Sequence, residues 1–339
     1  MRKRLYILVT AALVLLGALY TGLWWWAAGA LRDRVEALAA ARTETGLPTR
    51  FQTLAIGGFP VTLRARIDGA EAALDGPLAG LTWRGARLVA AVRPWAPRRV
   101  ELRLDGRQEI TGPDGPVLTA SGRSLAADLR LDGAGRAARI DARLRDLLLT
   151  PATGAALAVA AADITYRADG ETDEPGPALA LDAADIRLPA AAGGALGRHV
   201  ARLIVDGRLA GDLPADSSAA ALAAWRDSGG TLEITHAEAR WGPLHMAATG
   251  TLALDAEMRP LAAFAARIVN YEAALDLFAA EGVLAPREAA IAKTVFALVA
   301  RRPADGGPAS LEAALTIQDG RLSVGPVPLF DVPPLNLPN

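Results

Sequence analysis

Three residues could carry acid–base or metal chemistry at neutral pH in this chain: His199, His236 and His245 are its only histidines, and it has no cysteine. Without Cys there is no thiol nucleophile, no thiolate metal site and no disulfide framework. His236 and His245 flank a Trp241-Gly242-Pro243 turn. In strands of this register His236 shares the side of Leu232 and Ile234, whereas His245 lies opposite Leu244 and Met246, so they read as separate strand histidines. Gly133-Ala134-Gly135-Arg136-Ala137-Ala138 has the spacing of a dinucleotide-binding turn. That turn requires a following helix and an acid about twenty residues on. Here Ile140 to Leu144 alternates like a strand and the distant positions are apolar, so a hairpin loop is expected. No G-x-S-x-G, H-E-x-x-H or G-x-x-x-x-G-K-[ST] occurs. Carboxylates alternate with Arg on strand faces, as on a solvated sheet surface. No enzyme activity, no cofactor and no metal are expected.

Composition narrows the partners. The 339 residues carry 36 basic and 37 acidic side chains, a formal net charge of -1, and 52% hydrophobic but only 5% aromatic residues. Nucleic acid is therefore not an expected partner, for lack of a bulk positive field. The mean hydropathy is +0.23. Much of that comes from one stretch.

Leu5 to Ala30 is free of charge, preceded by Arg2, Lys3 and Arg4 and followed by Arg32, Asp33 and Arg34. As a helix it is about 39 Å long, enough to cross a hydrocarbon core of about 30 Å. Trp24, Trp25 and Trp26 suit the far membrane boundary, and the basic triplet marks the near end as cytoplasmic. The expected order is a cytoplasmic tip (1–4), a transmembrane helix (5–30), a membrane-proximal helix (31–47) and a periplasmic β-rich domain (48–339), with the bulk of the chain outside the inner membrane. Ala28-Gly29-Ala30 also fits a signal-peptidase site. Either reading exports residues 31–339, whose net charge is -4 once Arg2, Lys3 and Arg4 are removed from the balance. Bulk charge thus argues against anionic headgroups as well.

The elements follow from periodicity. Leu31, Val35, Leu38 and Arg42 have helical spacing before Gly46 and Pro48. From Val61 the chain alternates: Val61, Leu63, Ala65 and Ile67 face one way, Thr62, Arg64 and Arg66 the other. The pattern returns at 100–104, 125–131, 140–144, 179–188, 203–209, 231–237, 244–254 and 311–317. Nine Asp-Gly pairs, at Asp68, Asp75, Asp105, Asp114, Asp132, Asp169, Asp206, Asp305 and Asp319, read as hairpin turns of an antiparallel meander. Arg167 to Pro177 reads as a loop. Helices are expected after Asp216 or Ser217, over Pro260 to Ala280, and over Pro286 to Arg302 with Ile291, Val295, Leu298 and Val299 inward. The last two form a hairpin about Gly282 that covers one face of the sheet. Gly325 to Pro338 reads as an extended tail or edge segment. Trp83, Trp95, Trp225 and Trp241 are expected as core anchors.

The layout resembles a bacterial envelope family, frequent in alphaproteobacteria, known as domain of unknown function 2125. The likeness rests on the N-terminal anchor, Gly58-Phe59-Pro60 opening the first strand, Trp95 before Pro97, Gly229-Gly230 leading to Trp241-Gly242-Pro243-Leu244, and the closing Gly325-Pro326-Val327-Pro328-Leu329. These signature positions are structural. In general build the chain is also similar to AsmA-like anchored periplasmic proteins, whose curved sheets hold a greasy groove, a likeness of fold only. The expected fold is α+β, mostly β: a transmembrane helix, then a curved antiparallel sheet with a few covering helices. Two roles follow from it. One is a lipid or acyl-chain ligand held in the β-groove, where small Ala side chains leave room. The other is a structural or assembly partner for an envelope protein, with no ligand.

Overall fold

A computed structural model describes residues 2–75, 78–113, 115–152, 154–168, 176–190, 194–211, 219–301 and 309–333. Helix α1 (Arg2–Glu44) runs without a break through the expected boundary at residue 30. It stops where Gly46 turns left-handed (φ +83°), with Gly46 N–H on the Thr43 carbonyl at 3.1 Å and Leu47 N–H on Arg42 at 2.8 Å. Those two bonds close a Schellman cap. The least exposed stripe of α1 is Tyr20, Trp24, Ala28, Leu31, Val35, Ala39 and Arg42, spaced by three and four. Leu38 is 61% exposed, so Ala39 holds the place expected for it.

Among the described residues seventeen strands form one antiparallel sheet, a meander in which each strand from the third onward pairs with the preceding strand or the one before it; the first two share the third, and the sixth and seventh share the fifth and eighth. β1 (Thr49–Arg50) and β2 (Thr53–Gly57) both pair with β3 (Leu63–Ala73), followed by β4 (Thr82–Arg93) and β5 (Ala96–Gly112). The length of β5 lets it pair with β7 (Ser124–Leu131) near its start and β6 (Gly115–Ser121) near its end, and both then pair with β8 (Ala137–Pro151). β9 (Leu157–Arg167), β10 (Ala178–Arg187) and β11 (His199–Ala210) continue the sheet. Helix α2 (Ala219–Asp227) precedes β12 (Thr231–Trp241), β13 (Leu244–Leu254) and β14 (Pro260–Val269). The helices α3 (Tyr271–Ala280) and α4 (Pro286–Val299) come before β15 (Ser310–Gln318), β16 (Arg321–Val324) and β17 (Val327–Asp331).

Two buried clusters lie on the same face. Over β13–β16, helices α3 and α4 bury Tyr271, Leu275, Leu284, Ala292 and Phe296 against Ala248, Ala266, Ile268, Leu311 and Val324. Over β7–β11, Leu125, Leu147, Val159, Ala162, Ala183, Ile186 and Val200 cluster using strand residues alone, as in a sheet curved around its apolar side.

Three expectations need correction. Residues 260–269 are strand β14, not the first half of a helix, because Ala262, Phe264, Ala266 and Ile268 alternate inward while Leu261, Ala263, Ala265 and Arg267 point out. The helix starts only after Asn270, left-handed at φ 61°, whose Nδ2 donates to the Pro243 carbonyl at 3.0 Å. On α4 the buried residues are Ala289, Ala292 and Phe296, whereas Ile291, Leu298 and Val299 are exposed. Of the Asp-Gly pairs, Asp319-Gly320 is a two-residue turn and Asp132 opens the β7–β8 loop, but those at Asp68, Asp105 and Asp206 sit inside β3, β5 and β11. There Asp-Gly marks a local irregularity: the register shifts beside Asp105 in β5 and between Asp206 and Gly207 in β11. Asp114, Asp169, Asp305, the caps Asp216 and Ser217, most of the 167–177 loop and residues 334–339 lie outside the described residues. The tail expectation holds for β17, which is extended and pairs with β16.

Candidate functional site

Directly paired residues in a sheet point to the same side, so the registers show what each face carries. One rung runs Leu54–Ile67–Leu88–Leu104–Leu125–Leu144–Ala162–Ala183–Leu203–Ala239–Met246–Ile268–Leu311, apolar at every strand. At about 4.8 Å per strand it extends about 58 Å across the sheet. A parallel rung starts at Ile56 and is dominated by alanine: Ala65, Ala90, Ala127, Ala142, Ala237, Ala248, Ala266 and Ala313. A third runs Leu63–Val92–Val100–Leu129–Ile140–Tyr166–Leu179 and, after Gly207, Ile234 and Gly250, reaches Phe264, Leu315, Val324 and Val327. Three adjacent rungs make an uninterrupted apolar band. Among the described residues, α3 and α4 cover it at β13–β16 and α1 runs beside β1–β3. Elsewhere most of its side chains, including Leu54, Leu88, Leu104, Leu144 and Leu203, are half-buried.

The opposite face is charged and held by ion pairs, among them Arg87–Asp68 (2.6 Å), Arg145–Asp163 (2.9 Å) and Arg202–Asp182 (2.8 Å). Arg87 beside Asp68 holds that carboxyl below its usual range, and Arg139 does the same for Asp141. Arg99, Arg130, Arg139 and Arg167 stand in direct register, an arrangement that needs counter-charge. Asp141, 2.8 Å from Arg139, supplies part of it. Recesses open on this face among the described residues. One, of about 680 Å³, is lined over β12–β15 by His236, Ala247, Thr249, Ala263, Ala265, Arg267, Glu312, Ala314 and Thr316. Another, of about 350 Å³, lies over β3–β8 and is arginine-lined.

The histidines are dispersed. A register shift between Ile234 and Ala237 turns His236 onto the charged face, away from the side of Ile234 where strict alternation puts it. His245 bonds Glu238 at 3.2 Å and His199 bonds Asp185 at 3.1 Å. Burial pushes the Glu238 carboxyl up, but the hydrogen bonds from Arg240 and His245 outweigh it and hold the group below its usual range. Among the described residues no three His, Asp or Glu side chains converge as a metal site would need. The segment Gly133 to Ala138 is the β7–β8 hairpin loop, with Asp132 accepting from the Ala134 and Arg136 N–H groups.

The signature residues occupy turns along both rims of the sheet. Gly58, Phe59 and Pro60 precede β3, and Trp95 is in the β4–β5 turn, 65% exposed rather than a core anchor. Leu63 pairs with Val92, which puts both turns on one rim. Trp241, Gly242 and Pro243 lie on the other, where Trp241 Nε1 donates to the Gly197 carbonyl at 2.8 Å. Gly325 and Pro326 link β16 to β17 on that same rim. Trp225 is a core anchor, buried with Nε1 on the Ala210 carbonyl at 3.0 Å.

Helix α1 meets the sheet through the first of these turns. Trp24 is 4% exposed, stacked edge-on against Phe59 at 5.4 Å, and its Nε1 donates to the Thr62 carbonyl at 3.2 Å. The Tyr20 hydroxyl donates to the Pro60 carbonyl. At the far end of the helix, Arg42 donates to the Ala73 carbonyl at 2.9 Å and pairs with Asp75 at 3.2 Å. Of the three boundary tryptophans, only Trp25 and Trp26 are exposed. Periodicity gave no sign of this docking, because Tyr20 and Trp24 fall inside the apolar run.

An exposed apolar helix long enough to cross a membrane, joined to an all-antiparallel sheet with signature turns on its rims, is the arrangement the sequence resemblance implied. No curated protein and no solved structure matches the chain. The family model for uncharacterized proteins conserved in bacteria, domain of unknown function 2125, matches residues 24–333, and the chain belongs to that family.

Proposed function

We propose that this is a non-enzymatic protein of the bacterial envelope, anchored in the inner membrane by α1, whose apolar sheet face holds lipid acyl chains. The carrying observation is the unbroken apolar band from β2 to β15, uncovered over most of its length. Alanine along the second rung supports a ligand, since a face built only to pack against itself is better filled by larger side chains. The cytoplasmic N-terminus and external domain rest on Arg2, Lys3 and Arg4 at one end of the helix and Trp25 and Trp26 at the other. Docking of Tyr20, Trp24 and Ala28 supports an uncleaved anchor, because cleavage after Ala30 removes all three. The intact mass of the mature protein reports on that point directly.

Lipid extraction and mass spectrometry of the purified full-length protein test the ligand. Phospholipid is expected to copurify beyond the annulus of a lone α1 peptide. Filling the band with Ala90→Trp, Ala127→Trp and Ala142→Trp is expected to lower the excess by about half or more, since each indole occupies room for several methylenes. Absence of excess lipid, with no uptake of a fluorescent fatty acid, overturns the reading.

The assembly-partner reading is supported by α4, which presents Ile291 (51% exposed), Leu298 (82%) and Val299 (59%) on one outward side. It predicts a stoichiometric crosslink from this helix to another envelope protein, lost in Leu298→Asp.

A further inference from the structure

The charged face carries a feature that the apolar-band reading does not use. The 350 Å³ recess over β3–β8 has five arginines in its lining, Arg64, Arg66, Arg87, Arg103 and Arg143, against three acids, Glu101, Asp105 and Asp128. Two of the arginines are committed: Arg87 pairs with Asp68, and Arg143 with Asp128. Arg64, Arg66 and Arg103 make no ion pair or side-chain hydrogen bond among the described residues.

Register explains why they meet over open space. Arg66 is directly opposite Val89, which is directly opposite Arg103, so two guanidinium groups flank a short apolar residue from strands about 10 Å apart. Arg64 faces Ala91 in the next rung. A floor of Val89, Ala91 and Ala126 leaves the space between the arginines unfilled by longer side chains. Arginine forks are shaped for bidentate contact with phosphate oxygens. Asp68 acts on Arg66 from beside the recess and Asp105 lines it, yet five arginines against three acids leave the lining net positive, which favours an anion there.

The position narrows the source. Arg64 follows the Gly58–Thr62 turn, in which Phe59 and Pro60 contact Trp24 and Tyr20 of the anchor. Phe59 and Val61 are each about half exposed, and Trp95 is exposed on the same rim. With Trp25 and Trp26 at the membrane boundary, Tyr20 lies about 8 Å deeper along the helix, so this turn sits at headgroup level. We infer that Arg64, Arg66 and Arg103 form a binding site for an anionic phosphate group, supplied by the headgroup of a lipid in the membrane that α1 crosses. Overall charge hides the site, since it depends on three residues and not on the balance.

The test uses full-length protein in nanodiscs of equal phosphatidylglycerol and phosphatidylcholine, with retained lipids counted by native mass spectrometry after mild detergent extraction. Wild type is expected to enrich phosphatidylglycerol about threefold or more. The R64Q/R66Q/R103Q variant is expected to bring this near unity, and R64K/R66K/R103K to restore most of it. An equal charge change elsewhere on the face, R202Q/R240Q/R267Q, is expected to leave the enrichment in place. A second arm follows the melting temperature in neutral detergent with millimolar inorganic phosphate. A rise that the Gln substitutions abolish, without lipid enrichment, keeps the site but assigns it to free phosphate. Wild-type behaviour of R64Q/R66Q/R103Q in both arms overturns the site. The band-filling tryptophans lie on the other face and are expected to leave the phosphatidylglycerol preference unchanged, so failure here and failure of the acyl-chain reading are separable.

Discussion

The two ends of the sheet solve the same problem differently. Over β13–β16 the apolar band is roofed by α3 and α4, and Leu311, Ala292 and Ala266 are 0%, 1% and 4% exposed. Over β4–β8 the same rungs continue without a helical hairpin above them: Leu125 is buried among strand residues alone, and Leu88, Leu104 and Leu144 are only partly buried. Backbone pairing is equally regular in both regions, so it cannot be the cause. What differs is the chain between strands: the β14–β15 connection is long enough for a helical hairpin, whereas β3 to β8 are joined by turns. One stretch of a uniform surface is therefore a helix-roofed core and the other is packed by strand residues and left partly open. Sheet regularity here makes a continuous band, and only the helices decide where it ends.

Truncation is expected to separate the regions most strongly. Leu311→Ala removes a fully enclosed side chain beneath two helices and is expected to cost about 3–4 kcal/mol. Leu104→Ala, on the same rung, is expected to cost about 1–2 kcal/mol, because its side chain is only partly buried and lies at the margin of its cluster. Chemical denaturation of the full-length protein in detergent, followed by circular dichroism, measures both. Equal losses would mean that the uncovered half is as tightly packed as the roofed half. Enlargement is expected to act in the same direction with smaller effect. Ala266→Leu forces a larger group under the helices, at about 1–3 kcal/mol. Ala142→Leu, on the same rung, is expected to stay within about 0.5 kcal/mol. If Ala142→Leu proves as damaging as Ala266→Leu, the alanines of the second rung fill a close-packed site and leave no room for a ligand.

How far these regions can be read from sequence depends on which signals are local. The alternation of β3, β5, β7, β8, β10–β13 and β15 is a property of single segments and gave the antiparallel mostly-β class directly. Residues 260–269 misled because alanine is compatible with either period: Leu261, Phe264 and Ile268 suggest a helix, while Ala262, Phe264, Ala266 and Ile268 make the strand that forms. Tertiary pairing with Met246 and Leu311 decided the matter. On α4 the buried face is Ala289, Ala292 and Phe296, spaced by three and four, so the side that carries Ile291 and Leu298 turns outward. Asp-Gly signals a turn, yet at Asp68 and Asp105 it lies inside β3 and β5, with left-handed glycines at φ +61° and +76°. The band itself and the Arg64, Arg66 and Arg103 cluster were legible only after registers were known, since each joins residues from strands far apart in sequence. The Trp24 contact was hidden for a different reason: an apolar run long enough to cross a membrane looks alike whether its last turns touch lipid or protein.

The smallest expected effect sits beside the roofed region, on the strand next to β13. Glu238 lies on the charged face of β12, its side chain 18% exposed, 2.9 Å from Arg240 and 3.2 Å from His245. Its carboxyl is held below the usual range, so the folded state binds a proton there less readily than the unfolded chain does. Stability from this group is therefore complete above the free-glutamate value of about 4.3 and is lost as pH falls through the lower folded value. Glu238→Gln is expected to cost about 0.5 kcal/mol at pH 7, in keeping with a pair of partly exposed partners. The difference from wild type is expected to shrink progressively as pH falls below the free-glutamate range and the wild-type carboxyl takes up its proton. Thermal unfolding of the two proteins between pH 7 and 3 measures it. A gap that stays constant across that range would mean that Glu238 acts through packing at the β12–β13 junction and not through its charge.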